Sequence, residues 1–407
     1  MFSEIKKLFS SPFAYVSLLI VFIFLSIFIV NATKSKNPSY EPYERLLSDI
    51  TSSGMTEDEL HMNLYNHRES LQIQMSELGD KMFNIKGEYE EDLLGDFLIY
   101  HKAYELVNYN YKKFPSNRKQ IISDSLYNIS EEKQKINPNK VVIKSNELVI
   151  EKYNRVINLE LKNVGNMESM QHFFDNTIWE YAMIAFIVML TVRMFTMDIS
   201  CGAYKMIHSS KKGQRHLFKK QFFAVLLVIT AITIVVALIQ LICGITLFGV
   251  TKLALPLQMY PDFEFCPYPI SIGGFLLIKF LCKLLFYIMI ASVTAMVSVL
   301  FRKQLSSFAV SLVVGILPLI AITYFFVYTT NDTSAISTKY KIYDNMRGFV
   351  PHGLLNIRNY FRTFDYINLF GLQISRIMLA LVITVLITVI CFIFAIKNYE
   401  TPKEVTI

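Results

Sequence analysis

The stretch FFAVLLVITAITIVVALIQLICGITLFGV, from Phe222 to Val250, contains no charged residue. A helix needs about 20 mostly apolar residues to cross the hydrocarbon core of a bilayer. This segment by itself therefore predicts an integral membrane protein. The composition agrees, because the chain is 53% hydrophobic and only 18% charged, whereas soluble domains carry about 25% charged residues.

Five further stretches meet the same length requirement, and together they predict an all-α polytopic membrane protein with six transmembrane helices. The predicted spans cover residues 12–31, 174–197, 221–250, 273–301, 305–328 and 373–396. The first stretch is long for a signal peptide, and no small-residue cleavage site follows Val30. We therefore interpret it as an uncleaved anchor.

Lysine and arginine residues in the short connections predict the orientation of the spans, because these residues are retained on the cytoplasmic side. They occur at Lys6-Lys7, throughout 198–220, at Arg302-Lys303 and in the tail 397–407. We expect a multi-pass protein of the plasma membrane with both termini in the cytoplasm. The composition, rich in Ile, Lys, Asn and Tyr, suggests a bacterial source. The outer side then receives residues 32–173 and the loops 251–272 and 329–372.

Residues 32–173 are predicted to form a mostly helical extracytoplasmic domain. Thr56 and Glu59 have the spacing of a capping box, which marks a helix start. Three apolar stripes with helical spacing follow: Leu60, Leu64, Leu71, Met75, Leu78 and Met82; then Leu93, Phe97, Tyr100, Tyr104, Val107 and Tyr111; then Ile150, Tyr153, Ile157, Leu161 and Val164. We expect Pro115 to end the second helix. The domain either guides a substrate, binds a partner or is only a structural cap.

The N-terminal segment, residues 1–11, is predicted to be an amphipathic interfacial helix. Phe2, Ile5, Leu8 and Phe9 fall near one helical face, with Lys6-Lys7 beside them. An apolar face flanked by basic residues is typical of helices that lie in the plane of the membrane interface.

Motifs for catalysis and cofactor binding are missing from the sequence. It has no P-loop, no G-x-S-x-G and no H-E-x-x-H. Its five cysteines show neither C-x-x-C nor a Cys/His metal spacing, so no disulfide framework or zinc site is expected. We predict that the chain is not an enzyme and has no metal or cofactor of its own. The net charge is +7, and the Lys and Arg residues of the short connections are distributed as the charge rule for membrane proteins predicts. We therefore expect no nucleic-acid partner.

The connection between spans two and three, residues 198–220, has the most informative pattern. It holds Asp198 at the end of span two, Gly202 soon after, the helical patch Tyr204, Lys205, Met206, Ile207 and His208, a Ser209-Ser210 turn, then Gly213, Arg215 and Lys219. This order resembles the ABC-2 type permease family, the membrane subunits of ABC exporters. The six spans, the leading amphipathic helix and the insertion after span one resemble that family too.

In that family the connection is a coupling helix that sits in a groove of the ATPase. The resemblance therefore implies that the residues from Asp198 to Arg215 named above contact a separate ABC ATPase subunit, which carries ATP and magnesium. It also implies a second permease copy or homologue, and short helices within 329–372. The alternative is a basic loop that only orients the spans.

We therefore expect a permease subunit of an ATP-driven exporter that moves an amphipathic substrate, such as a lipid, an antimicrobial peptide or a drug-like molecule. Candidate residues of the substrate path are Lys279 and Lys283, on one face of span four, and the aromatic residues Tyr360, Phe361 and Phe364 before span six. Snorkelling lysines and an interfacial aromatic belt are the simpler interpretations. Besides contacts with membrane lipids, two other functions stay open: a sensor or immunity protein whose outer domain binds a peptide and signals without transport, and a scaffold for envelope assembly.

Overall fold

The computed structural model describes residues 2–9, 12–34, 45–46, 49–50, 52–78, 88–156, 178–200, 211–248, 253–260, 263–331, 349–364, 366–369 and 372–400. Over these residues the protein is mostly helical, which confirms that part of the predicted fold class. The α-helices are α1 (Phe2–Phe9), α2 (Pro12–Lys34), α3 (Glu57–Leu78), α4 (Glu88–Asn108), α5 (Phe114–Gln134), α6 (Lys140–Asn154), α7 (Ile178–Ser200), α8 (Lys211–Phe248), α9 (Ile272–Phe301), α10 (Gln304–Asn331), α11 (Arg358–Phe361) and α12 (Arg376–Glu400).

Four of these helices are long and apolar enough to cross a membrane. They are α7, α8, α9 and α12, over Trp179–Asp198, Gln214–Thr246, Ile272–Phe301 and Arg376–Tyr399. Among the described residues, α2 and α10 contribute shorter apolar stretches, Leu18–Ile27 and Gln304–Pro318. The structure thus supports a membrane protein with four candidate spans, and the count of six stays a prediction.

Helix α9 lies at the centre of the apolar bundle, where it packs against α7, α8, α10 and α12. Helix α7 is likewise mostly buried and also contacts α2. Helices α7 and α10 approach closely at Gly315, where a Cβ atom would come within 2.9 Å of Ile184 Cγ2. A small residue at such a crossing allows two membrane helices to gain close van der Waals contact, which is the main attraction between helices in lipid.

The described residues of the predicted extracytoplasmic domain form two helical hairpins, α3 against α4 and α5 against α6. The capping box at the start of α3 is present: the backbone N–H of Thr56 donates to Glu59 Oε2 at 3.0 Å, and the Glu59 N–H donates to Thr56 Oγ1 at 3.4 Å. The Glu59 carboxylate accepts from both the backbone N–H and the hydroxyl of Thr56, and these two bonds lower the pKa of the Glu59 carboxyl below its usual 4.5. The apolar stripe of α3 packs inward through Leu60 and Leu64.

Pro115 does not end the second helix of this domain, so that prediction was wrong. A π-helical segment, Tyr109–Lys113, joins α4 directly to α5, and Pro115 lies in the first turn of α5. Proline lacks an N–H, so it is tolerated where the normal hydrogen-bond ladder is already interrupted. The continuous rod from Glu88 to Gln134 is about 70 Å long at 1.5 Å per residue. The predicted third helix is α6, which ends at Asn154; the apolar positions from Ile157 to Val164 lie outside the described residues.

The rod is anchored on the segment that precedes α9. The Tyr109 hydroxyl, in the π-helical segment, donates to the carbonyl oxygen of Gln258 at 2.8 Å, and the Tyr153 hydroxyl of α6 donates to that of Phe265 at 2.6 Å. Lys113 Nζ lies 3.7 Å from the carboxylate of Glu264. The domain is thus held on the segment before α9 by specific polar contacts, in addition to its connections along the chain.

The segment before α12 contains a 3-10 helix, Pro351–Leu355, the single turn α11, and two antiparallel strands, β1 (Tyr366–Leu369) and β2 (Leu372–Ser375). The strands are a departure from the predicted all-α class. Their sequence signal is a glycine-containing pair, Phe370-Gly371, between two apolar runs, which is typical of a hairpin. Within this segment His352 Nε2 lies 3.0 Å from the carbonyl oxygen of Gly315 in α10.

Candidate functional site

A charged cluster lies between the first turns of α7 and the first half of α9. Glu180 is completely buried, and Lys279 and Lys283 are each only 7% exposed. The Lys283 ammonium forms an ion pair with the Glu180 carboxylate. Lys283 Nζ also lies 4.6 Å from the centre of the Trp179 ring, a distance at which a cation is attracted to the face of an aromatic ring.

This cluster is incompletely satisfied. Apart from the ion pair with Lys283, neither oxygen of Glu180 has a hydrogen-bond partner among the described residues, and the same holds for the buried hydroxyl of Tyr287, one turn after Lys283. Buried polar atoms are nearly always paired, so each exception requires an explanation. Charged residues within apolar helices are costly and generally line functional paths. The arrangement therefore favours a binding role over a purely structural one.

A cavity of about 380 Å³ opens beside the cluster, between α8 and α9. Lys279, Lys283 and Trp179 line one part of it, and Thr233 and Gln240 of α8 add two polar groups. The remaining walls are apolar: Ile234, Val236, Ala237, Leu238, Leu241, Leu253, Gly273, Leu276, Leu277 and Phe280. Small-ligand sites have this character, a concave apolar surface with a few polar groups in fixed positions.

A second polar cluster joins three helices at the opposite end of α7. Gln221 Nε2 of α8 donates to Asp198 Oδ2 at 2.6 Å, and Lys7 Nζ of α1 lies 3.5 Å from Asp198 Oδ1. Lys7 also lies 3.4 Å from Glu4. Partial burial lowers the pKa of Lys7, but the negative charges of Asp198 and Glu4 outweigh it, so the pKa is raised above 10.5.

No protein-family model matches the chain, and no curated protein matches it significantly.

Most of the predicted coupling residues fall outside the part of the chain that the structure describes: Gly202, Tyr204, Lys205, Met206, Ile207 and His208. The structure places their flanks. Asp198 is buried in the three-helix cluster, and Gly213 and Arg215 lie in the first two turns of α8. Arg215 is exposed. Because α8 begins at Lys211, the basic segment continues into the apolar helix without a break.

The structure places the two predicted lysines together in the cavity wall, and their side chains do not extend to the surface. The three predicted aromatic residues make other contacts. Phe361 packs edge-on against Phe275 at 5.3 Å, Phe364 stacks on Tyr366 at 4.3 Å, and Tyr360 is buried against Gly353. None of these three aromatic residues lines the cavity.

Sequence reasoning missed Glu180. The available signal was a carboxylate inside the predicted span 174–197. In the predicted orientation it lies at the outer end of that span, on the same side as Lys279 and Lys283. No set of three or more metal-binding side chains is found in the described parts of the chain.

Proposed function

We propose that this chain is the permease subunit of an ATP-driven exporter of an amphipathic substrate. A separate ABC ATPase subunit would bind and hydrolyse ATP with magnesium, and a second permease copy or homologue would complete the transporter. The observation that carries this proposal is the Asp198 cluster. It ties α1, α7 and α8 together at the point where the connection 201–210 leaves one apolar helix and enters the next.

Such a cluster supports mechanical coupling. The Asp198 carboxylate bonds to Gln221 of α8 and to Lys7 of α1, so a force on the connection would move three helices as one body. Asp198 and Glu180 lie at opposite ends of α7, about 27 Å apart at the helical rise per residue. A displacement at the cytoplasmic end would therefore reach the charged cluster and its cavity through the single helix α7.

The predicted six-span arrangement sets the orientation of α7 across the membrane. With both termini in the cytoplasm, Asp198 faces the ATPase and Glu180 lies toward the outer side, next to the segment on which the outer domain is anchored. Closure of the ATPase dimer on the cytoplasmic side would then change the shape of the cavity between α8 and α9, as an exporter requires.

Purification of a tagged chain from its native membranes, followed by mass spectrometry, tests the proposal. We expect a stoichiometric ABC ATPase to accompany the chain, and to be lost when residues 204–208 are replaced by Gly and Ser. Asp198→Asn should keep the ATPase bound but reduce substrate-stimulated ATP hydrolysis by about tenfold, since charge-assisted bonds are roughly twice as strong as neutral ones.

The matched control is Asp124→Asn, the same chemical change at an exposed position on α5 of the outer domain. It should alter neither ATPase binding nor hydrolysis. A clean preparation with no ATPase in several mild detergents would refute the exporter assignment.

One observation favours the alternative, a sensor whose outer domain binds a peptide. The domain is bonded to Gln258 and Phe265, close to the start of α9, so a ligand on the domain could shift that helix without any transport. A kinase that co-purifies in place of the ATPase would support this alternative.

A further inference from the structure

We propose that the segment Pro351–Phe361 is a latch on helix α10. The His352 imidazole of this latch segment replaces a backbone hydrogen bond that Pro318 removes from α10, and its withdrawal lets the helix open at that point. The latch is a conformational device of this chain alone. It goes beyond the proposed export function and does not depend on it.

Pro318 interrupts the hydrogen-bond ladder of α10. It lies inside the helix Gln304–Asn331, and proline has no N–H to donate to the carbonyl four residues earlier, which is that of Val314. The proline ring also clashes with this carbonyl, which bends or breaks a helix. In hydrocarbon there is no water to bond to the freed backbone groups, so another part of the protein must do so.

His352 supplies a donor at this break. Its Nε2 lies 3.0 Å from the carbonyl oxygen of Gly315, and the same ring interacts with the backbone of Val314. A carbonyl oxygen can only accept a hydrogen bond, so Nε2 carries the hydrogen. The imidazole is buried. It therefore bonds, from a distant part of the chain, to the turn of α10 that Pro318 leaves unsatisfied.

The latch segment is suited to enter an apolar bundle. From Pro351 to Ile357 it contains no acidic residue, lysine or arginine, and Leu354 and Ile357 are completely buried. The segment packs against α9 and α12, and the His352 ring meets the Phe286 ring of α9 edge-on at 4.9 Å. Contacts with α9 and α12 thus position the imidazole, and its bond to α10 is a separate interaction.

The break in α10 lies where this helix meets two others. A Cβ atom at Gly315 would come within 2.9 Å of Ile184 in α7 and 3.8 Å of Ile290 in α9. Ile184 follows Glu180 by one turn of α7. Opening of α10 at Gly315 would therefore loosen a contact next to the buried charged cluster. Through the latch, the segment that precedes α12 can act on that cluster.

Hydrogen–deuterium exchange of the full chain in lipid nanodiscs, followed by mass spectrometry, tests the latch. The amides of residues 316–322 report on opening of α10 at the break. His352→Phe keeps an aromatic ring but has no donor, so exchange of these amides should rise about tenfold, the factor expected when a buried acceptor loses its partner. His352→Gln should restore most of the protection, because its side-chain amide can donate to the same carbonyl.

Pro318→Ala separates the hydrogen bond from simple packing. It restores the N–H that bonds to the Val314 carbonyl, so His352→Phe in that background should raise exchange by about twofold at most. A side chain that only filled space beside Phe286 would have the same effect in both backgrounds. His67→Phe, the same change at an exposed position of α3, is the control and should leave exchange of α10 unchanged.

Unchanged exchange of residues 316–322 in His352→Phe would overturn the proposal, and so would an equal rise with and without Pro318→Ala. Loss of protection in α5 and α9 to the same extent as in α10 would also overturn it, because the variant would then unfold as a whole. The measurement needs neither ATPase nor transport. A failure here therefore leaves the exporter assignment standing, and absence of the ATPase partner leaves this measurement intact.

Discussion

Replacement of Lys283 by methionine should strongly destabilise the protein. Glu180 has no exposed surface, and Lys283 is its ion-pair partner. Lys283→Met keeps most of the side-chain volume but leaves the buried carboxylate without its ion-pair partner. Removing one member of a buried pair costs about 3–5 kcal/mol, and the lost contact with the Trp179 ring adds about 0.5–2 kcal/mol.

The double variant Glu180→Met/Lys283→Met separates this electrostatic cost from a packing defect. Since both charges are then absent, most of the stability lost in Lys283→Met should return, because a buried pair is often replaceable by apolar residues at little net cost. The free energy of unfolding would be measured for both single variants and the double variant in mixed detergent micelles. A coupling energy of at least about 2 kcal/mol is expected.

Two results would refute this reasoning. One is a cost below about 1 kcal/mol for Lys283→Met, which is the value typical of an exposed ion pair. The other is a double variant as unstable as the sum of the single variants, because additive effects would mean that the two side chains do not interact.

Three further outcomes are expected. Thr56→Ala removes the hydroxyl that accepts the Glu59 N–H, so hydrogen exchange of the amides in the first turn of α3 should rise about fivefold. In the native chain the folded pKa of Glu59 is lowered. The ionised Glu59 carboxylate should therefore stabilise this turn fully above pH 4.5, and this stabilisation should be lost as the pH falls through the lowered pKa. In Gly353→Ala the new methyl group would overlap the Tyr360 hydroxyl, so the melting temperature should fall, and Tyr360→Phe in the same chain should restore most of it. Burial raises the pKa of the Cys266 thiol to about 12, so maleimide at pH 7 should label Cys266 at least about a hundredfold more slowly than a cysteine introduced at the exposed position Ser123, and equal rates would contradict its burial.

Local patterns predicted the elements well. The apolar run that begins at Phe222 became most of α8, and the Thr56–Glu59 spacing became a capping box with the expected bonds. Such features depend only on residues that are close together in the sequence, so they can be predicted without the tertiary structure. The continuation through Pro115 was missed because local spacing gave no signal for the π-helical segment, in which the Tyr109 hydroxyl bonds to Gln258, far away in the chain.

The sequence by itself determined that the chain has apolar runs long enough to span a bilayer as helices, and that Lys279 and Lys283 share one helical face. The tertiary structure alone decided that Glu180 meets Lys283, that Asp198 joins α1 to α8, and that Tyr360, Phe361 and Phe364 do not line the cavity. The physical reason is that run length and periodicity are properties of one helix. The desolvated contacts between charges depend on how separate helices cross, which is set by packing over the whole bundle.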